Sequence, residues 1–194
     1  PSRGLGDVYK RQDLNNARFN LAGFGVQTAA IAVGGTAPTQ GTESWDGSSW
    51  TAGNNLNTVR ANASAAGIQT AGLAFGGNPS TASTEEFNGT SWTESNALPS
   101  ARGSGAGSGT QTAALAFGGN LPGALAITHG YDGTNWSTRP SLATARGYLG
   151  GCGTSIASLA IGGSINPAPA NIKNATEEFT GETTSLNLKT ITDS

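Results

Sequence analysis

A short apolar run that ends in two glycines occurs four times in the chain. It reads Ala30-Ile31-Ala32-Val33-Gly34-Gly35, then Gly72-Leu73-Ala74-Phe75-Gly76-Gly77, Ala114-Leu115-Ala116-Phe117-Gly118-Gly119 and Ser158-Leu159-Ala160-Ile161-Gly162-Gly163. The pairs are separated by 42, 42 and 44 residues. A period of that size marks a repeat architecture, in which one supersecondary unit is copied and each copy buries its apolar face against the next. Gly and Ser/Thr are abundant and only 11% of residues are charged, a composition that would also suit a disordered chain. Disorder does not place apolar runs at fixed spacing, whereas a turn-rich all-β chain does.

Each unit opens on a leucine four residues before an arginine: Leu14 with Arg18, Leu56 with Arg60, Leu98 with Arg102 and Leu142 with Arg146. A glycine follows seven residues after each arginine (Gly25, Gly67, Gly109, Gly153), and the diglycine begins 16 residues after it in every unit. This predicts a strand A, a glycine-containing tight turn and a strand B. In strand B, bulky residues (Ile31/Val33, Leu73/Phe75, Leu115/Phe117, Leu159/Ile161) alternate with small ones. Alternation separates the two faces of a strand. Because the second face is small rather than polar, the pattern suits sheets stacked face to face, bulky against shallow.

A third run carries Asp-Gly or Asn-Gly between aromatics: Trp45-Asp46-Gly47-Ser48-Ser49-Trp50, Phe87-Asn88-Gly89-Thr90-Ser91-Trp92 and Tyr131-Asp132-Gly133-Thr134-Asn135-Trp136. Such a dipeptide between strand-like runs predicts a hairpin, with both central residues at positive φ, joining strands C and D. Each unit is therefore expected to be a four-stranded antiparallel meander. The fourth keeps Glu177-Glu178-Phe179-Thr180-Gly181 but has Thr184 where a tryptophan is due.

An arginine, a buried strand ending in Gly-Gly, an aromatic, and a tryptophan shortly after it resemble the repeats of the kelch family. Three units match at all of these positions and the fourth lacks only the tryptophan. The resemblance implies an all-β fold, a kelch-like β-propeller of four blades with four antiparallel strands each, as a fragment of a larger propeller. The stretch from Thr84 to Trp92 is also similar to kelch-type repeats of marine phage and uncultured (metagenomic) microbes. Blades are expected at about 14–55, 56–97, 98–141 and 142–194 within a domain spanning 13–194. Residues 1–12 match nothing in the repeats. Asp7-Val8-Tyr9-Lys10-Arg11-Gln12 equals the translation of a sequencing-adapter end, so 1–12 is read as an adapter-derived scar and set aside.

Only one spacing varies between units. From the first glycine of each pair to the following aromatic the distance is 11, 11, 13 and 17 residues. All length variation therefore sits in the B–C loops. In a meander these lie at the same end of the sheet as the D–A connections that carry the arginines. Variable loops on a rigid scaffold are where binding usually resides. Arg18, Arg60, Arg102 and Arg146 are the candidate binding residues, a cationic arc able to grip carboxylates or acidic sugars. In some kelch proteins the matching arginines contact an acidic ligand. The alternative is that each one ties backbone carbonyls within its blade, which strict recurrence favours. The tryptophans at 50, 92 and 136 could stack on sugars but sit where blade packing needs them. Cys152 is expected to be a small buried residue.

The chemistry excluded is broad. A net charge of −2 gives no basis for nucleic-acid binding. No apolar run approaches the roughly 18–20 residues of a membrane span. The kelch resemblance raises the copper oxidases that share the propeller, yet their centre needs several His and Tyr ligands and a Cys-linked Tyr. One His, three Tyr and one Cys do not supply it. No cofactor or metal is expected. The function expected is a non-catalytic recognition or structural module in an extracellular or virion-associated appendage, whose partner is a protein or glycan, anionic if the arginines serve it. The alternative is the propeller portion of a secreted oxidase or glycan-processing enzyme whose catalytic part lies elsewhere.

Overall fold

The computed structural model describes residues 12–36, 40–79, 81–120, 122–165, 171–181 and 188–191, the last four as backbone. Positions 1–11 of the expected scar and Thr184 lie outside the described residues. Sixteen strands are described, in four antiparallel sheets. Blade 1 holds β1 (Ala22–Val26), β2 (Ala29–Val33), β3 (Thr42–Trp45) and β4 (Trp50–Ala52). Blade 2 holds β5 (Ser64–Ile68), β6 (Ala71–Phe75), β7 (Thr84–Phe87) and β8 (Trp92–Ser95). Blade 3 holds β9 (Ala106–Thr110), β10 (Ala113–Phe117), β11 (Thr128–Tyr131) and β12 (Trp136–Arg139). Blade 4 holds β13 (Gly150–Thr154), β14 (Ala157–Ile161), β15 (Thr176–Thr180) and β16 (Leu188–Ile191). Each is an up-down meander in chain order, and the four stand in a propeller arrangement.

Both expected turns form, with different chemistry from that read in the sequence. Gly25, Gly67, Gly109 and Gly153 are inside the first strand of each blade, and the turn is made by the next two residues but one, such as Gln27-Thr28. Gly25 has φ +116°, and a Cβ there would lie 2.3 Å from the Ala29 carbonyl oxygen across the hairpin. The glycine is thus required by a close strand-to-strand approach. In the second hairpin only the glycine takes positive φ, as Gly47 does at 97°. The residue before it acts through its side chain: Asp46 Oδ1 accepts the Ser48 and Ser49 amides at 2.8 Å each. These bonds hold the exposed Asp46 carboxyl well below the ordinary carboxylate range.

The core lies between blades, in three layers. Ile31 and Val33 of blade 1 cluster with Ala74, Phe87 and Trp92 of blade 2. Leu73 and Phe75 of blade 2 cluster with Ala114, Ala116, Tyr131 and Trp136 of blade 3. Leu115 and Phe117 of blade 3 cluster with Ala160 and Phe179 of blade 4. The bulky face of each second strand therefore meets the small face of the next one, as the alternation predicts. Phe75 meets Trp136 edge to face with centroids 4.9 Å apart. Burying each such aromatic contributes about 1.5–3 kcal/mol.

The diglycines are docking points between blades. Gly76 has φ +65°, and a Cβ on it would stand 2.5 Å from the carbonyl oxygen of Arg102 in the next blade. The amide of its neighbour Gly77 donates to that same oxygen at 2.7 Å. Gly35 with Arg60 and Gly119 with Arg146 repeat the bond, each at 3.0 Å. Gly47 offers a comparison, since it also has positive φ but its nearest approach is 3.4 Å. Gly47→Ala should cost about 1 kcal/mol from backbone strain alone. Gly76→Ala should cost clearly more, because a blade must also move away. Urea midpoints of the two variants check this, and equal losses would refute the docking role.

Candidate functional site

The four arginines begin where the chain crosses from one blade to the next, and the fold turns them inward. The side chains of Arg18, Arg60, Arg102 and Arg146 are all fully or almost fully buried. Arg60 Nη1 donates to the carbonyl oxygens of Gly76 (3.2 Å) and Ser83 (3.0 Å), tying the end of β6 to the end of the B–C loop. Its Nη2 donates to Glu85 Oε1 at 2.6 Å, an ion pair with both side chains buried. Arg146 repeats the set on Gly162 O, Ala175 O and Glu177 Oε1 at 3.0, 2.6 and 2.8 Å. Arg18 donates to Gly41 O at 2.8 Å and stands 3.1 Å from Glu43 Oε1. Most guanidinium donors therefore meet acceptors within their own blade, while Arg18 Nε and Nη2, Arg102 Nε and Arg146 Nε are buried without a hydrogen-bond acceptor among the described residues.

The carboxylates complete the brace. Glu85 Oε2 also accepts the Asn57 amide at 2.7 Å and Oε1 accepts the Thr58 amide at 3.0 Å, so the D–A connection is pinned to β7. Glu43 does the same for Asn15 (2.7 Å) and Glu177 for Ala143 (2.6 Å). Burial pushes the Arg60 guanidinium down from its ordinary pKa while Glu85 opposes that shift. Removing the partner strands a buried charge, so Glu85→Ala should cost about 3–5 kcal/mol in chemical denaturation. A loss under 1 kcal/mol would show that the brace is dispensable.

Blade 3 departs from this rule. His129 replaces the glutamate, and Arg102 Nη2 donates to its Nδ1 at 2.5 Å. Arginine can only donate, so the imidazole is neutral with its proton on Nε2. Burial, reinforced by the Arg102 charge, holds His129 down to about 4. Burial without a carboxylate likewise lowers Arg102 to about 10. The unfolded chain binds a proton at His129 near pH 6.5 that the folded blade refuses down to about 4. Stability contributed there is complete above pH 6.5 and is lost as pH falls toward 4. His129→Gln keeps a neutral acceptor and should flatten the melting temperature between pH 6.5 and 4.5. An unchanged slope would assign the acid sensitivity elsewhere.

What the fold leaves open is the rim around the B–C loops. Asn20, Asn62, Ser104 and Tyr148 follow the arginines by two residues and all have positive φ, between 50° and 57°. The Asn62 amide donates to Asn20 O (2.8 Å), that of Ser104 to Asn62 O (2.9 Å) and that of Tyr148 to Ser104 O (2.6 Å). A chain of backbone bonds thus runs from blade to blade along the inner edge. Phe19, Val59, Tyr148 and Ile172 are exposed around it. Trp92 and Trp136, by contrast, are buried against Phe87 and Tyr131, each pair 4.9 Å apart.

A second concavity lies on the opposite face, where the A–B and C–D turns meet. It is a cleft of about 440 Å³ between blades 3 and 4, bordered by Tyr131, Asp132, Arg139, Ser155, Ile156 and Phe179. Three departures from the repeat converge on it. Ser155 stands where Gln69 and Gln111 in other blades reach across to Trp45 O (2.6 Å) and Phe87 O (2.9 Å). Gly130 replaces the Ser44, Glu86 or Glu178 of the other units, and a Cβ there would fall 2.4 Å from Arg139 Nε. Arg139 itself replaces Gly53 and Ser95. Comparing the units position by position would have located this cleft, whereas attention to loop length pointed only to the rim. Among the described residues no group of three His, Cys, Asp or Glu side chains is placed to hold a metal ion.

The site and scaffold define a β-propeller-type repeat protein. No protein-family model matches the chain, and no curated protein matches it either.

Proposed function

We propose that the chain is a non-catalytic recognition module of kelch type that binds a surface glycan or protein through its B–C rim, within an extracellular or virion-associated appendage. The observation that carries this is that the spacing which varies among four meanders of the same strand order, from diglycine to the next aromatic, falls on one face. The loops leave each scaffold immediately after Gly35, Gly77, Gly119 and Gly163 and return at the strand that holds the brace partner. A rim of this kind can change shape while the blades keep their register.

The burial of the guanidiniums changes which ligand chemistry suits the rim. The side chains around it include the exposed amide of Asn78, the apolar Phe19, Val59 and Ile172, the phenol of Tyr148, and the half-buried Lys173 of the longest loop. Aromatic and aliphatic surface beside amide side chains suits stacking and hydrogen bonding to a sugar or peptide. The acidic groups of the braces are likewise held in hydrogen bonds, so they offer no free acid and base.

The test replaces residues 164–175 of the longest loop with the shorter 78–83 of blade 2 and probes an array of neutral and acidic glycans alongside intact cells. Binding by the parent chain that the loop exchange abolishes, with an unchanged melting temperature, is the expected result. Binding that survives the exchange would move the site off the rim.

A further inference from the structure

At two of the three seams between blades, a glutamine on the A–B turn reaches across to backbone of the blade before it. At the third seam, between blades 3 and 4, that residue is Ser155. We propose that the cleft at this seam binds the carboxamide group of a ligand, which takes the place that the Gln69 and Gln111 side chains fill at the other two. The cleft opens on the face opposite the B–C rim, so the proposal does not rest on the reading of the rim.

The seam between blades 2 and 3 carries the full set of side chains. Gln111 Nε2 donates to Phe87 O at 2.9 Å and to Gly72 O at 3.2 Å. Nearby the Tyr131 hydroxyl donates to Glu86 Oε1 at 2.5 Å, and Ser95 Oγ joins the same pair. An amide, a phenol and a carboxylate thus fill the space between these two sheets. Between blades 3 and 4 all three are cut back: Ser155 stands for Gln111, Phe179 for Tyr131 and Gly130 for Glu86. The result is the cleft of about 440 Å³. Arg139, at the position of Ser95, walls it with its stem across Gly130, where a Cβ would lie 3.1 Å from Arg139 Cγ.

The acceptors stay where the donor is shortened. Gly72 pairs with Phe87 across β6 and β7, and Ala114 pairs with Tyr131 in the same register across β10 and β11. Ala114 O and Tyr131 O therefore answer to the two carbonyls that Gln111 takes, and both residues border the cleft. The Ser155 hydroxyl ends two bonds short of where a glutamine nitrogen would stand. A carboxamide suits these partners because its nitrogen carries two donors, enough to serve both carbonyls, and its oxygen can accept from the serine hydroxyl. The exposed Ile156 offers apolar surface to the rest of the ligand. A carboxylate of the same shape has only acceptors and sets an oxygen against each carbonyl, so the cleft should distinguish glutamine from glutamate.

The hollow between blades 1 and 2 supplies the contrast. It is nearly as large, about 400 Å³, yet Gln69 is in place there. Its Nε2 donates to Trp45 O at 2.6 Å and to Ser44 Oγ at 2.8 Å. That carbonyl already has its amide donor, so size alone does not define the site, and this hollow should take no carboxamide.

The test titrates the isotope-labelled full chain with L-glutamine, with the tripeptide Gly-Gln-Gly and with L-glutamate, and follows the backbone amide resonances of Asp132, Ser155 and Ile156. Saturable shifts at these residues are expected with a carboxamide probe, at an affinity about tenfold above that of L-glutamate. A response to free glutamine alone, or to the tripeptide as well, separates a free amino acid from a side chain presented in a peptide, and either supports the proposal. Ser155→Gln rebuilds the bond of the sister seams from within the chain, so it should abolish the shifts and raise the melting temperature. Glutamate that binds as tightly as glutamine overturns the proposal. So do shifts that survive Ser155→Gln, shifts centred on Gln69 instead, or no saturable shift at tens of millimolar probe.

Discussion

A buried guanidinium bonded on three sides is the constraint on which blades 2, 3 and 4 depend. Its Nη atoms reach the diglycine carbonyl, the last loop carbonyl and a side-chain acceptor on the third strand, as Arg60 does at Gly76, Ser83 and Glu85. Three chain segments far apart in sequence are thereby fixed at one end of the sheet. Arginine suits this because its donors are set in a rigid plane, so three carbonyl or carboxylate oxygens can be held at fixed mutual angles. Blade 3 separates the requirement from the charge. With His129 as the acceptor the same brace forms, so the geometry needs a lone pair at that position and not a carboxylate.

The same residue also carries the contact to the neighbouring blade, through its main chain rather than its side chain. The arginine carbonyl accepts from the second glycine of the preceding blade, which places both levels of organisation at one point. The guanidinium fixes the strands of its own sheet, and the carbonyl fixes the distance to the sheet before it. That coupling explains why the interval from arginine to diglycine does not vary among units whose loops do. A residue added or lost there would break the internal brace and the docking bond together.

Much of this was legible in the sequence, and the failures have physical causes. The period, the four meanders and the bulky-against-small stacking all follow from patterns that packing writes directly into residue size. The role of the arginines was harder to read, because a cation at a loop junction has the same signature whether it points outward to a ligand or inward to carbonyls. The carboxylates that three of the guanidiniums meet, Glu43, Glu85 and Glu177, lie some 25 to 31 residues downstream. The Asp-Gly turns were placed correctly but for a partly wrong reason, since Asp46 contributes an acceptor side chain and not a left-handed backbone. Cys152 is exposed and was misread because its burial is a property of an adjacent blade, not of the strand it belongs to. The cleft beside Arg139 left no mark on loop length at all and shows only as residues that break the repeat.

In blades 2, 3 and 4 the residue after the diglycine forms a single β-bridge back to the inner edge, and in the two longer loops a second bridge across the loop itself. Asn120 pairs with Gly103 and with Ala124, and Ser164 pairs with Gly147 and with Ile172. The loop is therefore clamped at its base by a rung that does not depend on what lies beyond. Doubling the length of chain beyond such a clamp adds only about 0.6 kcal/mol of closure entropy. A single poorly packed core methyl can cost as much. Selection acting on this scaffold can thus explore rim shapes by insertion almost independently of folding, while the blades themselves can afford very few changes of length.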